Sequence, residues 1–173
     1  MEKRIIPISL PVTGDDEWQA LKEPLETGWL TAGPKVRAFE DAFAERHQVK
    51  YAIAVTSATT ALHLALIALD IKAGDEVIVP AFTWVSTANV VLYQGAEVVF
   101  CDIDPNTFNL DPKKLKDKIT SKTKAIMVVH LFGLCAPMDE IKTIVGAIPL
   151  IEDGACAAGS AYKGLPAGGL GLM

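Results

Sequence analysis

The chain has little of what would mark a disulfide scaffold, a metal protein or a nucleic-acid binder. Its 173 residues hold three cysteines, Cys101, Cys135 and Cys156. An odd, widely spaced set with no CxxC pair argues against both a disulfide framework and a structural zinc site. His47, His63 and His130 are equally dispersed; His63 falls in a nearly all-apolar segment and reads as a hydrogen-bonded core residue rather than a ligand. Basic side chains number 16 against 21 acidic ones, a formal charge of −5. The one lysine cluster, Lys113 to Lys124, reads as the solvated face of a helix and loop, so nucleic acid is not an expected partner. Hydrophobic residues reach 50%, yet charged or turn residues interrupt every apolar run before it reaches the length of a membrane span. The start, Met1 to Pro7, lacks the apolar core of a secretory signal. A cytoplasmic protein without a membrane segment is the expectation.

What is present is a rhythm. Thr13 or Asp15 can cap a first helix running to about Thr27, with Trp18, Leu21 and Leu25 on one side and Gly28 as its stop. The loop Gly28 to Pro34, rich in glycine and carrying Trp29, leads into a helix opened by proline that places Val36, Phe39 and Phe43 on one face. From Tyr51 apolar strands and helices alternate. Strands are expected near 52–56, Glu76–Pro80, Glu97–Cys101, Ala125–Val129 and Pro149–Glu152. Helices are expected to about Leu69, over Val85–Gln94, after the Asp111 cap with Pro112 in its first turn, and over Pro137–Val145. Strands that are apolar without alternation, joined by helices, imply an α/β fold: a mostly parallel sheet with helices on both faces. The expected division is a helical segment over 1–50 and an α/β core over 51–173.

Ligands of such sheets sit outside the carboxyl ends of the strands. One of those ends, Ser57-Ala58-Thr59, is a turn of small residues opening a helix, whose first N–H groups and dipole suit an anion such as a phosphate. Ser57 or Thr59 could equally be an ordinary helix cap. Trp84 offers an aromatic plane, or a core aromatic at a helix start. Asp153, directly after an apolar strand, is expected to be partly buried and to need a cationic or donor partner. An anion cradle, an aromatic platform and a buried carboxylate together suit pyridoxal 5'-phosphate (PLP). Its ring acts as an electron sink when a carboxylate keeps the pyridine nitrogen protonated. A dinucleotide is not expected, because no GxGxxG turn follows the first strand, and the glycine-rich stretch Gly164 to Gly171 lies elsewhere.

Several blocks in order carry a resemblance. They are Gly28-Trp29-Leu30-Thr31-Ala32-Gly33-Pro34, Ser57-Ala58-Thr59-Thr60-Ala61-Leu62-His63, Gly74-Asp75-Glu76-Val77-Ile78-Val79-Pro80, Phe82 to Asn89, Asp102-Ile103-Asp104, Val129 to Gly133, and Ile151-Glu152-Asp153-Gly154-Ala155. From about Ile8 to Met173 the chain resembles the sugar-nucleotide aminotransferases of the DegT/DnrJ/EryC/StrS group, PLP enzymes with the fold type I large domain. The resemblance implies that Ser57, Ala58 and Thr59 hold the cofactor phosphate, that Trp84 stacks on its ring and that Asp153 faces the pyridine nitrogen. Thr31 is implied as a contact for the sugar nucleotide or the amino donor. Cys156 stands where the family usually carries histidine or glutamine at the cofactor ring. It is kept as a cofactor-site residue whose alternative is small-residue packing, with no base beside it to activate a thiolate.

Function by resemblance is the transfer of an amino group from glutamate to a nucleotide-linked keto sugar, for a surface polysaccharide or related glycan, by a homodimer. A sugar dehydratase of the same family and a non-catalytic fragment are the alternatives. The chemistry needs a Schiff-base lysine. After Asp153 the only lysine is Lys163, which reads as a surface turn. No catalytic lysine is therefore assigned. The expectation is an incomplete cofactor-binding large domain over 1–173, truncated and without the small C-terminal domain, that does not turn over by itself.

Overall fold

The computed structural model of the chain describes residues 6–7 and 10–173, which divide into two compact units with the boundary between Ala38 and Phe39. In the first, α1 (Asp15–Thr27) ends on Gly28 in the left-handed conformation, φ 70°. Its cap is Gly14 rather than Thr13 or Asp15, because Glu17 reaches back one turn and accepts from the Gly14 N–H at 2.7 Å. Beyond Gly28, the Trp29 indole Nε1–H donates to Ala32 O at 3.3 Å. A Cβ on Gly33 would lie 2.3 Å from that nitrogen, so only glycine lets the indole fold back over the loop. Thr31 lines a hollow here with Trp29, Leu30, Glu23 and Pro24. The helix α2 (Pro34–His47) follows.

The second unit is the α/β core. It takes in α2 from Phe39 on, and its other helices are α3 (Ala58–Ala68), α4 (Ser86–Tyr93), α5 (Pro112–Leu115) and α6 (Met138–Val145). Four strands, β1 (Glu76–Pro80), β2 (Glu97–Cys101), β3 (Thr123–Val129) and β4 (Leu150–Asp153), pair in the order β2-β1-β3-β4, all parallel. Successive side chains of a strand point to opposite faces, and the core divides accordingly. Val77, Val79, Ala125, Met127 and Ile151 pack with Leu62 and Leu66 of α3 and Val90 and Val91 of α4. Ile78, Ile126, Val128 and Leu150 pack on the other face with Leu115 of α5 and Met138, Ile141 and Val145 of α6. Helices thus cover both faces, as the unalternating apolar strands implied. A hairpin of β5 (Ala161–Tyr162) and β6 (Leu165–Pro166) completes the unit.

Two further expectations fail. The stretch 52–56 forms no strand and pairs with none among the described residues. A strand is defined by ladder partners as much as by apolar side chains. Here the Ala54 N–H is taken by Glu40 Oε1 at 2.8 Å, while Tyr51 and Ile53 stay exposed. His63 is not a hydrogen-bonded core residue: α3 leaves Leu64 and Ile67 exposed, and the half-buried His63 ring meets Tyr93 edge-on at 5.5 Å. The Asp111 cap holds, its Oδ1 accepting from Lys113 N–H at 2.9 Å. The helix it opens lasts only one turn before a 3₁₀ turn, Lys116–Lys118.

Candidate cofactor site

The parallel strands end together, and three of the expected site elements meet at that edge. Ser57 caps α3: its Oγ accepts from the Thr60 N–H at 3.2 Å, with backbone extended at φ −164°. The capping role is therefore real. It leaves the amides of Ala58 and Thr59 without intrahelical partners, since a helix cannot satisfy its own first N–H groups. Thr59 Oγ1 donates to Ser86 Oγ at 2.9 Å, which ties the start of α3 to the start of α4.

The next residue of α4 makes the link to the carboxylate. Thr87, fully buried, donates from Oγ1 to Asp153 Oδ2 at 2.9 Å and shares a hydroxyl contact of 3.1 Å with Thr83 of the preceding loop. The other carboxylate oxygen, Oδ1, accepts from Ala155 N–H at 3.2 Å. Asp153 is 7% exposed and is the last paired residue of β4, opposite Val129. The donor partner expected for a buried carboxylate is thus a hydroxyl and an amide. Trp84 lies between Thr83 and α4 with 75% of its surface exposed. It is an open aromatic face rather than a core side chain.

Cys156 is exposed in the turn after Asp153. Thr31 belongs to the first unit, where it lines the hollow beside Trp29. Lys163 occupies the β5–β6 turn at φ 52°, and its Nζ is paired with Asp139 at 2.5 Å on the surface. The Asp139 carboxylate beside it holds the ammonium above the ordinary lysine range. Lys163 is a turn residue, as read from the sequence.

Two groups escaped the sequence reading. Thr87 is one of three hydroxyl residues in this stretch, with Thr83 and Ser86, and its burial singles it out. Glu152 stands in β4 with its side chain 1% exposed, and its Oε2 lies 2.8 Å from His130 Nε2. Burial alone would raise its carboxyl; the His130 hydrogen bond and the Gly168 and Gly171 amides outweigh that and hold it below the ordinary carboxylate range.

Fold and sequence converge with known proteins. An aminotransferase from Psychrobacter cryohalolentis is 40% identical, with a TM-score of 0.89 over 95% of this chain and 43% of that one. The E. coli GDP-4-keto-6-deoxy-D-mannose-3-dehydratase with bound hydrated PLP is 37% identical, TM-score 0.91, over 96% of this chain and 45% of that one. A 3-amino-5-hydroxybenzoic acid synthase is 40% identical, TM-score 0.89, over 94% and 43%. The chain therefore has the fold of the corresponding part of these proteins and spans less than half their length. Residues 11–173 match the sequence profile of one family. The chain belongs to the DegT/DnrJ/EryC1/StrS aminotransferase family.

Proposed function

We propose that the chain forms the PLP-holding part of an enzyme that moves an amino group from glutamate to a nucleotide-linked keto sugar. The observation that carries this is the run of hydroxyl contacts from Thr59 to Ser86 and from Thr83 through Thr87 to Asp153. It joins an open helix N-terminus to a buried carboxylate at one sheet edge. The donor set fits the cofactor: free amides and hydroxyls for a phosphate dianion, an exposed indole for a flat ring, and a carboxylate for a pyridinium N–H. Bound PLP supplies an electron sink for the pair released when a substrate Cα–H bond breaks.

The residues of this chain do the rest. Ser57, Ala58 and Thr59 hold the phosphate, and Trp84 covers one ring face and excludes water from it. Asp153 keeps a proton on the pyridine nitrogen, and Thr87 and Ala155 fix the carboxylate that does so. Cys156 is a small neutral neighbour of the ring, and Thr31 a contact for sugar nucleotide or amino donor. Moving the proton at the substrate carbon needs a lysine, and Lys163, ion-paired in a hairpin turn, does not serve. We place the reaction in a cytoplasmic homodimer that builds amino sugars for a glycan.

A sugar dehydratase is the second reading, favoured by the 37% identity to the E. coli dehydratase, nearly that to the aminotransferase. The proposed enzyme, assayed with glutamate and a 4-keto sugar nucleotide, separates the two. The proposal expects 2-oxoglutarate and amino sugar in equal amounts. Loss of a sugar hydroxyl without an amino sugar gives the dehydratase, and no reaction with either substrate rejects both. The 173-residue chain alone is expected to show no steady turnover; steady turnover contradicts the assignment of no catalytic lysine within it.

A further inference from the structure

Adjacent residues of β4 carry two buried carboxylates to opposite faces of the sheet: Asp153 toward α4 and Glu152 toward the face covered by α5 and α6. Glu152 is surrounded by donors. Oε2 accepts from His130 Nε2 at 2.8 Å and from Gly168 N–H at 2.8 Å. Oε1 accepts from Leu170 N–H at 2.6 Å and from Gly171 N–H. An ionised carboxylate has about four acceptor sites and no proton to offer, and here four N–H groups fill them.

The His130 ring is set from its other side. Its Nδ1 accepts from Ala136 N–H at 3.2 Å, so the ring proton is on Nε2 and points at Glu152. The His130 backbone N–H donates to Asp153 O at 3.0 Å. One residue therefore touches both carboxylate-bearing positions, one through its ring and the other through its amide. The 168–171 loop is packed as closely: a Cβ on Gly171 would lie 2.7 Å from Leu150 O and 3.2 Å from the Glu152 side chain.

We infer that Glu152 is a positioning residue, whose carboxylate clamps the 168–171 loop and His130 to the end of β4 and so fixes the place from which Asp153 meets the cofactor ring. The loop half of this stands on the geometry alone; the ring half rests on the PLP reading. Glu152→Gln puts an NH₂ group where one oxygen faces two N–H donors, and cannot satisfy all four. Glu152→Asp keeps the charge on a side chain one methylene shorter.

The test uses the 173-residue chain with two readouts, amide hydrogen exchange at 168–171 and affinity for 4'-deoxypyridoxine 5'-phosphate. That analogue has no aldehyde and so cannot react with surface lysines. Glu152→Gln is expected to speed exchange of the Gly168, Leu170 and Gly171 amides at least tenfold and to weaken analogue binding about tenfold, with Glu152→Asp between it and the parent. Folded variants with parental loop protection and parental affinity overturn the inference. Fast loop exchange with unchanged affinity overturns the link to Asp153. If Glu152→Gln does not fold, Glu152→Asp decides by the same criteria. If the parent chain binds no analogue, the PLP reading fails, and exchange alone judges the clamp.

Discussion

Replacing Asp153 by asparagine separates the charge of this carboxylate from its hydrogen bonding. In the parent, Oδ1 accepts from Ala155 N–H at 3.2 Å and Oδ2 from Thr87 Oγ1 at 2.9 Å. Asparagine can keep both contacts: its Oδ1 takes the Ala155 amide and its Nδ2–H donates to the Thr87 hydroxyl. That hydroxyl then turns its own proton toward Thr83 Oγ1, 3.1 Å away. The fold should therefore be nearly indifferent, with a thermal midpoint within a few degrees of the parent. Binding should not be. A hydrogen bond to a charged group is worth about 1.5–3 kcal/mol, and the pyridinium N–H loses its ionic acceptor. With about 2 kcal/mol lost and tenfold per 1.4 kcal/mol, affinity for 4'-deoxypyridoxine 5'-phosphate should fall ~30-fold. The bound ring should also give up its proton at lower pH. Absorbance of the analogue reports both effects. Parental affinity together with a parental ring spectrum in a folded Asp153→Asn chain would refute the role given to this carboxylate.

Thr87→Val keeps the shape but removes the donor to Asp153 Oδ2. A buried acceptor left without its donor costs about 1–3 kcal/mol, so urea denaturation should show that loss with the sheet intact. Glu152 gives a pH dependence whose sign follows from its lowered carboxyl. A carboxyl depressed in the folded state adds stability that is complete above its unfolded value and fades as pH falls through the folded value. Acid titration of the unfolding free energy should thus show a drop that begins as pH falls into the ordinary carboxylate range and ends below the lowered folded value, and Glu152→Gln should flatten it. Among the thiols, Cys101 is fully buried and burial pushes it up to about 11, whereas Cys156 is exposed. Maleimide at neutral pH should label Cys156 first and reach Cys101 only on unfolding, as peptide mass mapping will show.

The sheet was legible because its information is local. Val77–Pro80 and Ala125–Val129 are unbroken apolar runs bounded by turn or polar residues, and a strand buried on both faces needs that pattern. Asp153 stood out for the same reason, as a charge directly after such a run. The failures come where local pattern and tertiary pairing part. Residues 52–56 look like a strand by their side chains, but a strand also needs a neighbour's backbone, and Glu40 supplies a side-chain acceptor instead. The Thr87–Asp153 bond spans 66 positions and the His130–Glu152 pair 22. No periodicity links those residues; the parallel crossover connections bring them together. The Ser57 cap was legible as one of two readings, and the structure makes it a cap that still leaves open amides.

The central claim is that the start of α3, Trp84 and Asp153 form one cofactor cup, and ³¹P and ¹H NMR of 4'-deoxypyridoxine 5'-phosphate titrated with the 173-residue chain tests it most directly. The account expects saturable binding in which the phosphorus signal shifts on contact with the Ala58 and Thr59 amides and the ring protons shift upfield under the Trp84 indole. Trp84→Ala should abolish the ring shift and leave the phosphorus shift. Saturable binding that survives Trp84→Ala and Asp153→Asn unchanged, or no binding at all, would contradict it.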